Sequence, residues 1–210
     1  MIVKKTRIPG LLIVEPEVHV DNRGYFLESF KCSDFELNGL PTNFVQQNQS
    51  KSKKGTLRGL HYQLNYPQGK FVWVSLGSVM DIAVDIRKNS PTFGKYESFI
   101  LNDKVHKRLY IPEGFAHGYY VLSDKAVFQY MCTEVYHPED EYGVLWNDPE
   151  ISINWSDGEK IISDRDKKWP SLKKIDPEKL PKKLLPLKFG FFKCVFGSPL
   201  DIIENDYDVE

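Results

Sequence analysis

The stretch Leu57-Arg58-Gly59-Leu60-His61-Tyr62-Gln63 reads as a β-strand and carries an arginine, a histidine and a glutamine within six residues. Side chains on a strand alternate between its two faces. The alternation predicts one face with Leu57, Gly59, His61 and Gln63, and the other with Arg58, Leu60 and Tyr62. A single histidine on such a strand is more often structural than catalytic, so its role depends on the rest of the chain.

Strand patterns of similar length recur along the chain. The most regular one, Met80 to Arg87, alternates apolar residues with mostly polar ones, and Asp85 and Arg87 are expected to form a structural pair. Turn residues separate most of the other expected strands, which fall at residues 11–14, 25–30, 71–76, 96–101, 108–111, 119–122 and 126–133.

Helix signals are scarce before the C-terminal tail. Ser33-Asp34-Phe35-Glu36 has capping-box spacing and predicts one or two helical turns, ended by Gly39 and Pro41. The basic run Lys51 to Gly55 predicts a solvated loop. Many short strands with almost no helix are typical of an all-β sandwich or barrel, such as the jelly roll, whose mouth can enclose a ligand.

Composition narrows the functional class. The 210 residues are 41% hydrophobic and can bury a sizeable core, while the net charge of -1 argues against nucleic acid as a partner. The three cysteines are widely spaced and form neither a metal pattern nor a disulfide framework, so a reducing cytoplasm is expected. We expect no signal peptide, no transmembrane span and no membrane contact, because no long apolar run is present.

The C-terminal end of the chain differs in composition from the rest. It is basic and rich in proline as far as Lys193 and acidic after it. We therefore expect a jelly-roll domain over residues 1–175 and a short C-terminal extension over residues 176–210. Within the extension, Asp176 to Lys183 predicts a loop or one helical turn, and Leu187 to Val195 is apolar enough for a strand.

A metal site is the first interpretation of histidines in such a barrel, with His61, His117 and Glu28 as ligands. Cupin metal sites usually have two histidines close together on one strand. Here Gln63 and Gly59 stand two residues from His61, and His117 stands alone. No metal is therefore expected.

Proton transfer is the alternative chemistry. A histidine suits a general base near neutral pH, and it needs a carboxylate to orient it. An enolate formed by the base needs a nearby positive charge, and inversion needs a proton donor on the opposite face. The candidates are His61 as base, Asp164 or Asp166 as its partner, Lys70 or Arg58 as the positive charge and Tyr130 as donor.

Motifs around these candidates follow one another from about residue 3 to about residue 172. They are Asp21 to Glu28, Phe44 to Ser50, Gly55 to Gln63, Gln68-Gly69-Lys70, Asp81 to Arg87 with Ser90 to Gly94, Ile111 to Gly118, Trp146 to Pro149 and Ser163 to Asp166. In this order they resemble the dTDP-4-dehydrorhamnose 3,5-epimerase family. The tail after about residue 175 has no counterpart in the compact members of that family.

The resemblance implies a cupin-like jelly-roll isomerase that uses no cofactor and no metal. Its expected substrate is dTDP-4-dehydro-6-deoxyglucose, and inversion of C3 and C5, which flank the C4 ketone, gives dTDP-4-dehydro-L-rhamnose. Two alternatives stay open. One is an epimerase that inverts C3 alone, and the other is a module that binds a sugar nucleotide without catalysis.

The resemblance also implies roles for individual residues. The catalytic set is His61 as base, Asp166 as its polarising partner, Lys70 as enolate stabiliser and Tyr130 as proton donor. Tyr136 is expected to stack on the thymine. The remaining contacts with the nucleoside and the diphosphate are expected from Arg23, Glu28, Gln46, Asn48, Arg58, His117, Glu141 and Arg165.

The family resemblance finally implies a homodimer with exchanged N-terminal strands. The run Leu11 to Val14 lies ahead of the main strands, and an open sheet edge is a liability unless it is paired or covered. Donating this run across a two-fold axis would cover the edge on both subunits. It would also carry Arg23 towards the neighbouring active site.

Overall fold

Two β-sheets that face each other form the body of the protein in this computed structural model, which describes residues 1–182. The strand expected at residues 187–195 lies outside the described residues. In chain order the strands are β1 (Ile2–Lys5), β2 (Leu12–Glu15), β3 (His19–Asp21), β4 (Gly24–Phe26), β5 (Gln46–Lys53), β6 (Thr56–Gln63), β7 (Lys70–Leu76), β8 (Ser78–Asp85), β9 (Tyr96–Asn102), β10 (Arg108–Ile111), β11 (Phe115–Val121), β12 (Lys125–Cys132), β13 (Glu141–Gly143) and β14 (Ile161–Ile162).

Helices are short in this part of the chain. The α-helix α1 spans Cys32–Leu37, and single 3-10 turns lie at Pro138–Asp140, Asp166–Lys168, Leu172–Lys174 and Pro177–Lys179. The last turn agrees with the loop or helical turn expected there. Within residues 1–182, none of the helices is both long and apolar enough to cross a membrane.

The strands pair in antiparallel fashion with one exception. The first sheet has the order β1-β2-β10-β7-β12-β5, and the second has the order β13-β6-β11-β8-β9. The exception is β14, which pairs in parallel with β6. Strands β3 and β4 form a separate hairpin. Two facing antiparallel sheets confirm the predicted all-β jelly-roll sandwich.

The main hydrophobic core fills space between the two sheets. It contains Val72 and Phe128 from the first sheet and Ala83, Leu101 and Val121 from the second. Each of these side chains is at most 1% exposed. Fully burying a side chain of the Val, Leu or Phe type stabilises a fold by about 1.5–3 kcal/mol, so this core fixes the distance between the sheets.

Both sheets are covered on their outer faces as well. Phe35 of α1 packs with Phe71 and Trp73 on the first sheet. On the second sheet, Leu172 and Leu180 pack in a cluster of their own with the outward-facing strand residues. Leu180 belongs to the expected C-terminal extension, so the described part of that extension packs on the sheet.

The alternation predicted for Leu57 to Gln63 is interrupted inside β6. In the pairing of β6 with β11, His61 faces His117 and Arg58 faces Tyr119, so three steps on β6 match two steps on β11. The extra residue is a β-bulge, which shifts the alternation by one position. The prediction that Arg58 and His61 lie on opposite faces is therefore wrong, and both side chains line the same cavity.

Two glycines allow the close approach of the strands at this bulge. Gly59 has a φ of +122°, and a Cβ on it would lie 2.6 Å from the Cα of Gly118. A Cβ on Gly118 would lie 2.6 Å from the backbone oxygen of Arg58. Because real Cβ atoms do not approach so closely, only glycine fits at either position.

Two local predictions are wrong in detail. The N-cap of α1 is Lys31, which forms no side-chain cap, so the expected capping box at Ser33 does not form. Strand β5 continues to Lys53, so the basic run is mostly strand rather than loop. Ser52 is buried, whereas the lysines beside it point outwards, as is usual on an edge strand.

The expected structural pair at the end of β8 is confirmed. Nη2 of Arg87 lies 2.7 Å from Oδ2 of Asp85, and that carboxylate also accepts hydrogen bonds from the hydroxyls of Ser90 and Thr92 at 2.6 Å each. Burial opposes ionisation of Asp85, but these bonds outweigh it and lower the pKa of the carboxyl. The carboxylate of Asp85 therefore stabilises the turn that follows β8.

The N-terminal segment pairs within the one chain described here. Strand β2, which contains most of the run predicted for exchange, lies between β1 and β10 of its own chain. The β3–β4 hairpin is the part left exposed, with Val20 77%, Tyr25 54% and Phe26 66% exposed. Strand β4 also ends at Phe26, earlier than the strand predicted for residues 25–30.

Candidate active site

A cavity of about 570 Å³ opens between the two sheets, a volume within the usual range of small-molecule sites. Strands from both sheets line it, together with residues 161–166. It brings together most of the predicted site residues, namely Gln46, Asn48, Arg58, His61, Lys70, His117, Tyr130, Tyr136, Glu141, Arg165 and Asp166.

His61 forms a dyad with a buried carboxylate at one wall of the cavity. Its Nε2 lies 2.8 Å from Oδ1 of Asp166, whose Oδ2 accepts a hydrogen bond of 3.2 Å from the backbone N–H of Gly59. Burial opposes ionisation of Asp166, but the bonds outweigh it and lower the pKa of this carboxyl. An ionised partner holds the ring proton on Nε2 and leaves Nδ1 as the acceptor.

The geometry distinguishes the two aspartates that the residues alone left open. Asp166 is 3% exposed, and its backbone N–H bonds to Oγ of Ser163 at 3.1 Å. The side chain of Asp164 is 89% exposed and pairs with Lys167 at 3.2 Å. The carboxylate that contacts His61 is therefore that of Asp166.

A second carboxylate lies on the other side of the His61 ring. Oε1 of Glu141 is 3.8 Å from Nδ1 of His61. Oε2 of Glu141 accepts a hydrogen bond of 2.7 Å from the hydroxyl of Tyr136 and pairs with Nη1 of Arg165. The indole of Trp169 stands edge-on to the imidazole, with 6.4 Å between ring centroids. Carboxylates thus flank both ring nitrogens.

Lys70 supplies a positive charge from the opposite sheet. It is the first residue of β7 and lines the cavity. In the described part of the chain, no hydrogen bond or ion pair engages its Nζ. Burial lowers the pKa of Lys70, against the raising effect of Cys132, Glu141 and Asp81. This ammonium is therefore available to an anionic group that enters the cavity.

Tyr130 also lines the cavity from the first sheet. It lies on β12, whereas His61 lies on β6 of the second sheet, so the two side chains approach from facing walls. Burial raises the pKa of Tyr130 to about 12. The phenol therefore keeps its proton at neutral pH and can donate it.

His117 is held by its own buried carboxylate. Its Nε2 lies 2.9 Å from Oδ2 of Asp81, which is fully buried, and the ring stacks on Phe128 with 6.0 Å between centroids. In the sheet His117 is the direct cross-strand neighbour of His61. The cavity therefore contains two histidines, each paired with a different aspartate.

Strand β5 forms a polar wall of the cavity. Nε2 of Gln46 donates to Oδ1 of Asn48 at 2.9 Å, and Oε1 of Gln46 accepts from the backbone N–H of Tyr136 at 2.7 Å. Arg58 reaches the same wall, where its Nε donates to Oγ of Ser52 at 3.2 Å. These amides and cations are suited to a nucleotide with a charged diphosphate.

Two predicted site residues lie outside this cavity. Arg23 is at the tip of the exposed hairpin, where it pairs with Asp21 at 2.6 Å and its side chain is 87% exposed. Glu28 lies near Lys31, with 3.9 Å between the charged groups. Their expected contacts with substrate stay predictions, and within one chain the cavity does not include them.

Sequence reasoning gave no site role to several polar side chains in the cavity, among them Ser50 and Tyr119. Oγ of Ser50 and the hydroxyl of Tyr119 lie 2.8 Å apart and both line it. Each follows a predicted site residue by two positions, Ser50 after Asn48 and Tyr119 after His117. The strand alternation could therefore have identified both.

The donor set of the cavity differs from that of a metal centre. Within residues 1–182, no three side chains of the His, Cys, Asp or Glu type converge as metal ligands would. The imidazoles of His61 and His117 are each bound to an aspartate instead.

Comparisons with known proteins agree on one family. The family model described as dTDP-4-dehydrorhamnose 3,5-epimerase matches residues 5–174. A dTDP-4-dehydrorhamnose 3,5-epimerase of Shigella flexneri is 52% identical over 168 residues, which cover 79% of this chain and 93% of that protein. The matched segment therefore includes the whole cavity.

Solved structures are similar over the same region. The dTDP-6-deoxy-D-glucose-3,5-epimerase of Legionella pneumophila in complex with dTDP-4-keto-L-rhamnose has a TM-score of 0.85 and 46% identity, covering 87% of this chain and 98% of that one. A 3'-monoepimerase of Streptomyces bikiniensis in complex with dTDP-quinovose has a TM-score of 0.80 and 32% identity, covering 84% and 91%.

Proposed function

The chain belongs to the dTDP-4-dehydrorhamnose 3,5-epimerase family, and from this premise we propose how its cavity carries out the reaction. The chain is an isomerase of dTDP-rhamnose biosynthesis. It inverts C3 and C5 of dTDP-4-dehydro-6-deoxyglucose and so forms dTDP-4-dehydro-L-rhamnose. The observation that carries the proposal is the His61–Asp166 dyad, which faces Lys70 and Tyr130 across one cavity.

His61 is the base in this proposal. The C4 ketone acidifies the protons on both neighbouring carbons, so one base can serve C3 and C5 if the ring is presented twice. Asp166 binds Nε2 and leaves Nδ1 to accept the carbon-bound proton. The ionised aspartate then stabilises the imidazolium that forms.

Lys70 stabilises the enolate oxygen at C4. Burial of its ammonium carries a desolvation cost, which lowers the pKa of Lys70. A negative charge that develops on the enolate offsets this cost, so the attraction is stronger in the transition state than in the ground state. This difference, rather than tight binding of the ketone, lowers the barrier.

Tyr130 returns a proton on the opposite face of the sugar ring. Inversion requires the donor and the base to approach the carbon from opposite sides, and His61 and Tyr130 line facing walls of the cavity. Burial raises the pKa of Tyr130 to about 12, so its phenol is protonated when the enolate forms.

The nucleotide part of the substrate is bound nearer the entrance. We assign the diphosphate to Arg58 and Arg165, since both guanidiniums line the cavity. The half-exposed ring of Tyr136 is suited to stacking on the thymine. Hydrogen bonds to the nucleoside and contacts near the sugar are assigned to Gln46, Asn48 and His117.

Inversion of C3 alone is the second candidate, because the chain is also similar to a 3'-monoepimerase. Proton NMR of the product, trapped by a reductase that removes the C4 ketone, distinguishes the two reactions. We expect a sugar inverted at both C3 and C5. A product inverted only at C3 would contradict the double reaction, and unchanged substrate with measurable binding would indicate a module without catalysis.

We also propose that the enzyme is a cytoplasmic homodimer with exchanged N-terminal strands. The exposed apolar side chains of Val20, Tyr25 and Phe26 on the β3–β4 hairpin support an exchange of this hairpin, since such a patch is suited to a protein interface. It would carry Arg23 into the partner's cavity. An obligate interface of this kind buries about 2,000 Å² or more in total. The free thiols of Cys32 and Cys132 suit a reducing compartment.

Mixed dimers test whether Arg23 acts in trans. Arg23→Ala and His61→Ala chains should each have little activity alone, and a refolded mixture should regain activity because one of the two sites in a mixed dimer has both residues. The activity of the mixture is compared with that of each parent, after mixed dimers are verified by differently tagged chains. Verified mixed dimers without recovery, or a fully active monomer in sedimentation, would exclude the exchange.

A further inference from the structure

One base can invert two carbons in turn only if its proton is removed between the two inversions. After the first inversion His61 holds the proton taken from carbon, and Tyr130 has given its proton away. Before the second carbon can react, His61 must lose that proton and Tyr130 must regain one. Asp166 cannot pass the proton of His61 on to solvent, because it is 3% exposed and its oxygens already bind His61 and Gly59.

Glu141 is a possible proton acceptor on the other side of the His61 ring. Its Oε1 is 3.8 Å from Nδ1 of His61, the nitrogen that takes the carbon-bound proton. That distance is longer than a hydrogen bond, and catalytic hydrogen bonds are often long in the absence of substrate. Once Nδ1 carries a proton, the imidazolium and the carboxylate attract each other.

The second oxygen of Glu141 leads towards solvent. Oε2 accepts a hydrogen bond of 2.7 Å from the hydroxyl of Tyr136, which is 44% exposed. Arg165 pairs with the same oxygen, and its side chain is 54% exposed. The Glu141 side chain itself is only 10% exposed. The carboxylate therefore connects the half-buried ring of His61 with two exposed side chains at the cavity.

The fold fixes Glu141 in this position. Strand β13 pairs with β6 so that Glu141 faces Gln63 and Gly143 faces His61. Gly143 cannot carry a side chain, because a Cβ there would lie 2.5 Å from the indole of Trp169. The indole in turn packs edge-on to His61. The distance between ring and carboxylate is thus set by strand pairing rather than by a loop.

We propose that Glu141, with Tyr136, forms a proton exit route that resets His61 between the inversions of C3 and C5. The proton moves from carbon to Nδ1 of His61, from Nδ1 to Oε1 of Glu141, and from Glu141 to water at the entrance beside Tyr136. A proton from solvent water returns to the Tyr130 phenolate, so charge and protons balance over one inversion. The inference rests on the proposed double inversion.

Glu141→Gln separates the two inversions if this route operates. The amide keeps the size of the side chain but cannot accept the proton. The first inversion should stay within about threefold of the wild-type rate, and the second should slow at least about tenfold. Rapid quenching in D2O, followed by NMR, would show singly deuterated sugar accumulating in the variant and not in the wild type.

Rescue by buffer excludes a merely structural effect. In Glu141→Gln, the second inversion should speed up as the concentration of imidazole buffer rises at constant pH, because the buffer carries the proton instead. Tyr136→Phe, which keeps the ring but removes the hydroxyl, should slow the second inversion in the same way but less. Glu139→Gln is the matched control, since Glu139 precedes β13 and its side chain is 72% exposed. It should behave as wild type.

Three outcomes would overturn the exit route. They are equal slowing of both inversions in Glu141→Gln, no slowing of either, and a slow second inversion that buffer does not accelerate. A failure of the proposed function is distinguished by the wild-type enzyme, which would then not invert C5 at all.

Discussion

Replacing His61 with asparagine should lower turnover about 10³-fold or more and remove solvent exchange at both C3 and C5. Asparagine has nearly the size of histidine and can still accept a bond within the site, but it cannot take a proton from carbon. The dyad with Asp166 at 2.8 Å leaves Nδ1 as the acceptor for both carbons. A single substitution should therefore stop both exchanges together.

The expected loss is measured with a reductase-coupled assay and by NMR of the sugar recovered from D2O. His137→Asn is the matched control, because His137 pairs with Glu139 at 3.3 Å, does not line the cavity and should be dispensable for turnover. Exchange at the wild-type rate on either carbon in folded His61→Asn would show that another group is the base there.

Replacing Lys70 with methionine should lower kcat about 10²–10³-fold and change KM little. Methionine keeps the length of the side chain and removes the charge. The ammonium has no ion-pair partner in the described residues, and burial lowers the pKa of Lys70. Its charge is therefore costly in the free enzyme and useful only when the enolate forms, which places the loss in kcat.

The same substitution should raise the free energy of unfolding. A lysine whose pKa is lowered in the fold binds its proton less well there than in the unfolded chain, so its burial costs stability at neutral pH. Urea denaturation checks this expectation. Lys167→Met is the control, since the Lys167 side chain is 56% exposed and pairs with Asp164. If the loss of activity in Lys70→Met came wholly from a higher KM, or if kcat stayed within a few fold of wild type, Lys70 would not stabilise the enolate.

The fold was predictable because most of its strands are regular. Met80 to Arg87 alternates without interruption, and the alternation separates Ile82, Val84 and Ile86 in one core cluster from Ala83 in the other, although both faces of the strand are buried. Strand β6 was not predictable in the same way. Its bulge depends on Gly59 meeting Gly118 on a neighbouring strand, and a pattern read along one strand contains no information about that contact.

Site residues that belong to sequence motifs were predictable. Site residues whose position depends on the pairing between strands were less so. The residues alone left Asp164 and Asp166 open as partners of the base, and the geometry distinguishes them by burial. Glu141 was expected near the nucleoside. Its place beside His61 comes from the three-residue strand β13, and so short a strand has no detectable periodicity.

Solvent deuterium in the recovered sugar tests the central claim, that one dyad in this cavity removes protons from both carbons flanking the ketone. The wild-type enzyme is incubated in D2O with dTDP-4-dehydro-6-deoxyglucose, and the product is analysed by proton NMR. The account predicts one deuterium at C3 and one at C5, and neither in His61→Asn. Product that forms with deuterium at one carbon only, or with none, would contradict it.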